Sequence, residues 1–186
     1  MPRKPEKRSY VRQAEVKNRI VLSTLELLKS VDPEALTIRE IAAHANTHHR
    51  YIPDYFGGKA QLLMQVVPIV RDELVEKIQS FSIEDFPSPE LVMFVKLVGW
   101  LSINTPSDAT GIFNGELLDT LTNLYVGGYG FEPVTARLMA KRMMAGVFSM
   151  VMFPRAMFLE EGDPQRLFQL EQRVSIALVE MMRNDN

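Results

Sequence analysis

Cysteine is absent from this sequence of 186 residues, which excludes a disulfide framework, a thiol nucleophile and a cysteine-based metal site. Long apolar runs are absent as well, because no stretch reaches the about 18 consecutive apolar residues of a membrane-spanning helix. The basic amino terminus, MPRKPEKRSYVRQ, is followed by neither an apolar run nor a small-residue cleavage site, so it lacks the pattern of a secretory signal. We therefore expect a soluble, cytoplasmic protein that makes no contact with a membrane.

A formal net charge of −2 is small, whereas nucleic-acid-binding domains are usually basic. The charges are, however, unevenly distributed. Residues 1–60 contain 11 lysines and arginines against 7 acidic residues, a formal charge of +4, and residues 61–186 contain 10 against 16, a formal charge of −6. This asymmetry suggests that the amino-terminal part contacts nucleic acid, and it would orient that part towards DNA.

Apolar residues recur at intervals of three or four along nearly the whole chain, and no convincing strand run interrupts them. This period is typical of helices with one buried face, so the predicted fold class is all-α. Pro68 lies inside one predicted helix and removes a backbone hydrogen bond, which predicts a kink. The predicted helices cover residues 16–31, 38–45, 48–54, 59–80, 91–104, 111–125, 134–159 and 165–183.

Local signals set the boundaries of the short helices near residue 50. Thr37 and Glu40 have the spacing of a capping box, in which the threonine oxygen accepts from the Glu40 amide and the glutamate accepts from the Thr37 amide. Asn46 stands where a tight turn requires a residue that tolerates the left-handed conformation. The pair Gly57-Gly58 then separates the next short helix from a longer one. Short helices joined by a tight turn are the layout of a helix-turn-helix.

The segment 37–63 reads TIREIAAHANTHHRYIPDYFGGKAQLL, and it resembles the DNA-binding signature of the TetR family of bacterial transcriptional regulators. The shared features are a threonine-capped helix with small apolar residues, an aliphatic residue in the recognition helix, a Tyr-Phe pair and a lysine that opens the next helix. These positions are Thr37, Ile41, Ala42, Ala45, Ile52, Tyr55, Phe56, Lys59 and Leu62, preceded by a matching helix with Arg12, Ile20 and Leu27. The remaining two thirds of the chain agrees with the family only in length and helical pattern.

Four positions depart from the family's pattern. Asn46 replaces the usual turn glycine, Thr47 the small apolar residue after it, and His48 the serine that caps the recognition helix. These three residues are able to preserve a turn and a cap. Pro53 replaces a tyrosine that commonly touches phosphate, which puts that contact in question, and proline at this position is expected to end the recognition helix early.

The resemblance implies two domains: a three-helix helix-turn-helix DNA-binding domain over residues 1–60 and a helical ligand-binding and dimerisation domain over residues 61–186. Exposed side chains at the start of a recognition helix meet base edges in the major groove, where Arg50 is able to pair with guanine. Lys59 lies at a helix amino terminus, where amides and a cation attract a phosphate. The predicted DNA-binding residues are Thr37, His48, His49, Arg50, Tyr51, Tyr55 and Lys59. Solvated charges at Arg50 and Lys59, and a packed ring at Tyr55, are the alternatives.

Neither a cofactor nor a metal site is expected. His44 and His48 are four residues apart, a spacing that binds metal on one continuous helix, but a turn separates them and no third ligand is evident. The Gly57-Gly58-Lys59 segment is not a phosphate-binding loop of the GxxxxGK type, because Pro53 stands at the position of the earlier glycine.

Methionine and phenylalanine concentrate in the carboxy-terminal part: all methionines except Met1 and nine of the ten phenylalanines lie after residue 60. Methionine is flexible and polarizable, which suits an adaptable pocket, and the family resemblance implies that the carboxy-terminal helices enclose a small-molecule site. A methionine-rich core is the alternative for each residue. The candidate ligand-binding residues are Met93, Phe94, Leu97, Trp100, Asn104, Phe113, Leu117, Met143, Val147 and Phe148.

The last two predicted helices carry more apolar surface than a domain of this size buries by itself. As in the family, they are expected to pair with those of a second copy, which would place two recognition helices roughly 34–36 Å apart on a pseudo-palindromic operator. The hypothesis is therefore a homodimeric repressor that an unidentified small-molecule effector releases from double-stranded DNA. A ligand-independent DNA-binding protein or activator is the alternative. A helical-bundle enzyme or small-molecule carrier is weakly supported, since no nucleotide loop and no cluster of carboxylates with histidine is evident.

Overall fold

The computed structural model describes residues 6–79, 87–105 and 115–184. Helices account for most of these residues and no strand occurs among them, which confirms the all-α prediction. None of these helices combines the length and the apolar character that crossing a membrane requires. In chain order they are α1 (Glu6–Leu28), α2 (Ile38–His44), α3 (Tyr51–Phe56), α4 (Lys59–Gln79), α5 (Pro89–Asn104), α6 (Glu116–Tyr129), α7 (Pro133–Met152) and α8 (Asp163–Asn184).

The described residues form two compact units. The first unit consists of residues 6–69 and 97–105, and the second of residues 70–79, 87–96 and 115–184. Helices α4 and α5 therefore each contribute to both units, and the first unit includes residues well beyond the boundary expected at residue 60. Pro68 lies close to the point where α4 passes from one unit to the other, and α4 is helical on both sides of it. The kink at Pro68 stays a prediction.

Helices α2 and α3 are held in the first unit by the apolar residues of their inner faces. Ile41 and Ala42 of α2 are buried, as are Ile52 and Phe56 of α3. With seven and six residues, these helices are too short to be stable alone, so burial of this face provides most of their stability. The same core includes Ile20, Val21, Leu28, Leu36, Ala45, Leu62, Leu63, Val66, Val67, Leu97, Val98 and Leu101.

Hydrogen bonds at both ends of α2 confirm the local signals. The Glu40 amide donates to Thr37 Oγ1 at 3.2 Å and the Thr37 amide donates to the Glu40 carboxylate at 2.8 Å, so both halves of the capping box are present. At the other end, Asn46 has a φ of +46°, the left-handed conformation expected of it. The Thr47 amide then donates to the Ala42 carbonyl at 2.9 Å. Backbone groups that a helix end leaves without helical partners are thus satisfied at both ends.

The prediction that Pro53 ends the recognition helix early is wrong. Helix α3 spans Tyr51–Phe56 rather than residues 48–54, so Pro53 falls within its first turn. An amide in the first turn has no acceptor inside the helix, and a proline there therefore removes no helical hydrogen bond. The Pro53 carbonyl accepts from the Gly57 amide at 2.9 Å, which closes the last turn.

Three other helix boundaries also differ from the predictions. Helix α1 begins at Glu6 rather than at residue 16. The first part of this helix is charged and its apolar residues do not recur at helical intervals, so the sequence pattern did not predict it. Helix α6 continues through Gly127-Gly128 and ends at Tyr129, followed by Gly130 as its C-cap with a φ of +75°. Helix α7 ends at Met152 instead of residue 159, because Pro154 cannot donate a helical hydrogen bond and disfavours a helical residue before it.

The second unit contains two apolar clusters. One joins the end of α4 to α6 and α7, and the other joins α5 to α7. The first cluster consists of Ile78, Leu121, Tyr125, Phe131, Ala136, Met139 and Ala140, and the second is centred on Val95 and Val147.

Replacing Thr37 by alanine is expected to lower the free energy of unfolding by about 1 kcal/mol, because the Glu40 amide loses its acceptor. Thr37→Ser retains the hydroxyl and should remain close to the parent protein. Urea denaturation measures both. An equal loss in the two variants would contradict the capping role.

The same pair gives a dependence on pH. Hydrogen bonds from the Thr37 side chain and backbone lower the pKa of Glu40. Since the folded pKa lies below the unfolded one, this contribution to stability is present above the usual glutamate pKa and is lost as the pH falls through the lowered value. The difference between Thr37→Ala and the parent should therefore shrink on acidification.

Candidate nucleic-acid interface and ligand cavity

The turn after α2 leads into an exposed segment, His48-His49-Arg50, which continues into α3. These three residues are exposed, and Tyr51 retains 38% of its surface. The neighbouring Ile52 is fully buried in the first-unit core. The helix-turn-helix therefore presents one row of side chains to solvent while its other face is occupied by packing.

The imidazole of His48 binds the backbone just before α3. Its Nδ1 accepts a hydrogen bond from the Arg50 amide at 3.2 Å. When Nδ1 of a neutral imidazole accepts, Nε2 carries the proton, so this exposed side chain offers a donor. Guanine O6 and N7, adenine N7 and phosphate oxygens are acceptors that match it. The N-cap residue of α3 is Arg50, which has no side-chain cap bond, so position 48 does not form the cap that the family resemblance assigns to serine, and His48 retains a polar group for an external partner.

Aromatic rings form a continuous row along this exposed segment. The rings of His48 and His49 stack with centroids 4.4 Å apart. The rings of His48 and Tyr51 are arranged edge to face, with centroids 6.5 Å apart. Tyr51 and Tyr55 stack at 5.0 Å with their planes only 4° apart. Lys17 Nζ of α1 lies 5.9 Å from the Tyr55 centroid. Four of the predicted DNA-binding residues are thereby brought together on one surface.

The second unit contains a cavity of about 620 Å³, within the range of roughly 300–1,000 Å³ that small-molecule sites occupy. Its walls are mostly apolar. Five of the predicted ligand-binding residues line it, namely Phe94, Leu117, Met143, Val147 and Phe148. Lining residues that the sequence reasoning missed include Leu74, Ile78, Leu91, Val95, Leu121, Leu124, Tyr125, Tyr129, Met144 and Phe168.

The other five candidate ligand residues are not brought to this cavity by the described structure. Met93 is buried elsewhere on α5, and Leu97, Trp100 and Asn104 belong to the first unit. Phe113 lies outside the described residues. The helical period of α5 explains why only some of its residues reach the cavity. Leu91, Phe94 and Val95 share the face that lines the cavity, and the sequence alone did not distinguish this face from the rest of the helix.

A few polar groups are placed among the apolar walls. Lys77 and Glu90 form an ion pair of 2.8 Å, and the hydrogen bond from Lys77 is the main cause of the lowered pKa of Glu90. The Tyr125 hydroxyl donates to Met143 Sδ at 3.6 Å, and burial raises the pKa of Tyr125. Glu171 also lines the cavity and pairs with Arg142. An apolar cavity with a small number of oriented polar groups is typical of sites that bind small organic molecules.

Metal coordination finds no support in the part of the chain that the structure describes, where no group of three or more histidine, aspartate or glutamate residues is placed to hold an ion.

The helix-turn-helix also matches a known family. A family model described as bacterial regulatory proteins of the TetR family matches residues 20–66, which include α2, the turn, α3 and the start of α4. The match gives residues 20–66 a helix-turn-helix domain of the TetR type. The matching family consists of bacterial regulatory proteins.

Solved structures share the fold over most of the chain, whereas no curated protein matches the sequence. A protein assigned as a TetR-family transcriptional regulator from Mesorhizobium loti MAFF303099 is 14% identical with a TM-score of 0.58, over 90% of this chain and 98% of its own. A protein assigned as a transcriptional regulator from Pseudomonas aeruginosa PAO1 is 15% identical with a TM-score of 0.52, over 96% and 93%. At these identities the likeness concerns the fold.

Two of the side chains predicted to bind DNA, those of Thr37 and Lys59, have partners within the first unit. The Thr37 hydroxyl donates to the Glu40 carboxylate at 2.6 Å. Lys59 Nζ donates to the Glu34 carbonyl at 3.3 Å and lies 4.8 Å from the centroid of the Trp100 ring. Burial lowers the pKa of Lys59. Donation of the Thr37 hydroxyl to a phosphate therefore requires an exchange of partners, whereas the Lys59 ammonium has further N–H donors.

Gly57, which ends the TetR-type recognition helix with a φ of +86°, gives a test of the backbone. Gly57→Ala is expected to lower the free energy of unfolding by about 1–2 kcal/mol, because a Cβ disfavours the left-handed conformation. Gly127→Ala is the matched control: it lies inside α6, and an added Cβ meets no atom within 4 Å. It should raise stability by about 0.5–1 kcal/mol. Urea denaturation measures the free energy of unfolding of both variants. A change in the same direction for Gly57→Ala and Gly127→Ala would contradict this explanation.

Proposed function

We propose that this chain is a homodimeric repressor that leaves its operator when a small molecule occupies the cavity of the second unit. The observation that carries the proposal is the exposed row from His48 to Tyr51 on a helix-turn-helix whose other face is fully packed. Such a row has no role in the core and suits the major groove.

DNA recognition would be divided between two kinds of contact. Arg50 and His48 offer donors to base edges, with a bidentate pair between Arg50 and guanine as the main source of sequence preference. Tyr55 and Lys59 would contact phosphates, which position the domain without reading sequence. The formal charge of +4 on residues 1–60 would strengthen all of these contacts at low salt.

Pairing of two copies is supported by apolar side chains that a single chain leaves exposed on its last two helices. On α8, residues at intervals of three and four form a stripe, with Leu170 55% and Met181 64% exposed. On α7, Leu138 is 61% exposed. Exposed apolar residues of this number and spacing require a partner surface. A second copy would cover them and provide the second recognition helix that a pseudo-palindromic operator needs.

Release by a ligand follows from differential affinity. A small molecule in the cavity would favour the state whose recognition helices are wrongly spaced for successive major grooves, and it shifts the equilibrium only as far as it binds that state more tightly. The apolar walls around Val147 and Phe148 and the polar groups at Lys77 and Tyr125 favour an organic molecule with one or two polar groups.

Substitutions in the two contact classes should have different effects on DNA binding. On DNA from upstream of the protein's own gene, Arg50→Ala is expected to reduce the preference over random duplex, since a bidentate base contact is worth about 1–3 kcal/mol. Lys59→Ala should weaken both duplexes alike and reduce the slope of log affinity against log salt by about 1. Fluorescence anisotropy at several salt concentrations measures both. Arg155→Ala, on an exposed loop of the second unit, is the control, and unchanged binding in both test variants would refute these assignments.

Filling the cavity should separate ligand response from DNA binding. Met144 of α7 lines the cavity, whereas Lys141 on the same helix is exposed and does not. Met144→Trp is expected to reduce binding of the apolar dye anilinonaphthalene sulfonate and to keep the protein on DNA in the presence of any compound that releases the parent. Lys141→Trp should behave as the parent. Equal dye binding and equal release by both variants would show that the cavity is not the effector site.

A further inference from the structure

Trp100, the only tryptophan of the sequence, lies against a lysine of the first unit. The Lys59 ammonium is 4.8 Å from the centroid of the indole ring and donates to the Glu34 carbonyl at 3.3 Å. Both Lys59 and Trp100 are half-buried. The ammonium is thus held by a ring on α5 and by a carbonyl in the segment before α2.

These two contacts direct the positive charge into the first unit. A cation over an indole face is attracted by about 0.5–1 kcal/mol at an exposed site and by about 2 kcal/mol or more when desolvated. The nearby carboxylates of Glu34 and Glu40 add a further attraction for the ammonium. A phosphate oxygen that draws this ammonium towards solvent weakens its contacts with the indole ring and the carbonyl.

We propose that Trp100 is a positioning residue that competes with DNA phosphate for the ammonium of Lys59 and thereby lowers the affinity of the first unit for DNA. This inference rests on the phosphate contact assigned to Lys59 under the proposed function. Trp100 itself does not contact DNA and acts only through Lys59. Its location on α5 makes DNA affinity depend on a helix that lies outside the helix-turn-helix.

Substitution of Trp100 tests the competition. The probe is a random-sequence duplex, because a phosphate contact does not depend on sequence. Trp100→Leu should bind it about 2- to 5-fold more tightly than the parent, which corresponds to the loss of a cation–π contact of about 0.5–1 kcal/mol. Trp100→Phe retains a ring with a weaker attraction and should fall between the two. In the background of Lys59→Met, Trp100→Leu should produce no gain.

Indole fluorescence provides a measurement on a protein that keeps its tryptophan. Addition of the duplex should change the Trp100 emission of the parent towards that of free Lys59→Met, since the ammonium leaves the ring. Lys59→Met itself should show no change on addition of DNA. Lys17→Met is the control, because Lys17 lies 5.9 Å from the Tyr55 ring, and it should leave the emission of the free protein unaltered.

Several results would overturn the proposal. A Trp100→Leu protein that binds DNA equally or more weakly, or a gain that persists in the Lys59→Met background, would exclude competition through Lys59. The same emission change in the parent and in Lys59→Met would do so as well. Failure of the proposed function looks different, because neither the parent nor any variant would then bind duplex DNA.

Discussion

Burial of the inner faces of two very short helices is the constraint on which the DNA-binding surface depends. Helices α2 and α3 have seven and six residues, too few to persist in water without packing. Ile41 and Ala42 are therefore buried with Ile52 and Phe56, and the left-handed Asn46 brings the two helices to the angle that this burial needs. Because the inner faces of α2 and α3 are buried, the side chains from His48 to Tyr51 remain on the outside, where they are accessible to base edges.

Departures from the family's pattern keep its geometry by other chemical means. Asparagine takes the left-handed position that glycine usually occupies, at a modest steric cost that its short polar side chain reduces. The ring nitrogen of His48 accepts from the Arg50 amide just before α3. Pro53 is accommodated because α3 begins at Tyr51, which places the proline in the first turn. The aromatic rings of His48, His49, Tyr51 and Tyr55 add a π surface to the charged groups of this interface.

Much of the fold was predictable because the signals that specify it are local. The Thr37–Glu40 capping box, the turn at Asn46 and the break at Gly57-Gly58 involve neighbouring residues, and each was found as predicted. Helix ends that depend on more distant contacts were placed wrongly. The glycines in α6 indicated a helix end, yet that helix continues to Tyr129, where the rings of Tyr125 and Tyr129 lie tilted with centroids 5.4 Å apart and Tyr125 is buried in the second-unit cluster. Contacts of this kind cannot be predicted from the spacing of apolar residues along the chain.

By itself the sequence determined an all-helical chain, a helix-turn-helix near residue 50 that resembles the TetR family, and a basic first part on an acidic remainder. These features follow from periodicity, capping and composition, which act over a few residues or over the whole chain. Only the tertiary structure decided which apolar residues line a cavity and which belong to a core: it placed Phe94 at the cavity and Trp100 against Lys59, although both stand on α5. The reason is that the two faces of one helix meet different neighbours, and those neighbours come from distant parts of the chain.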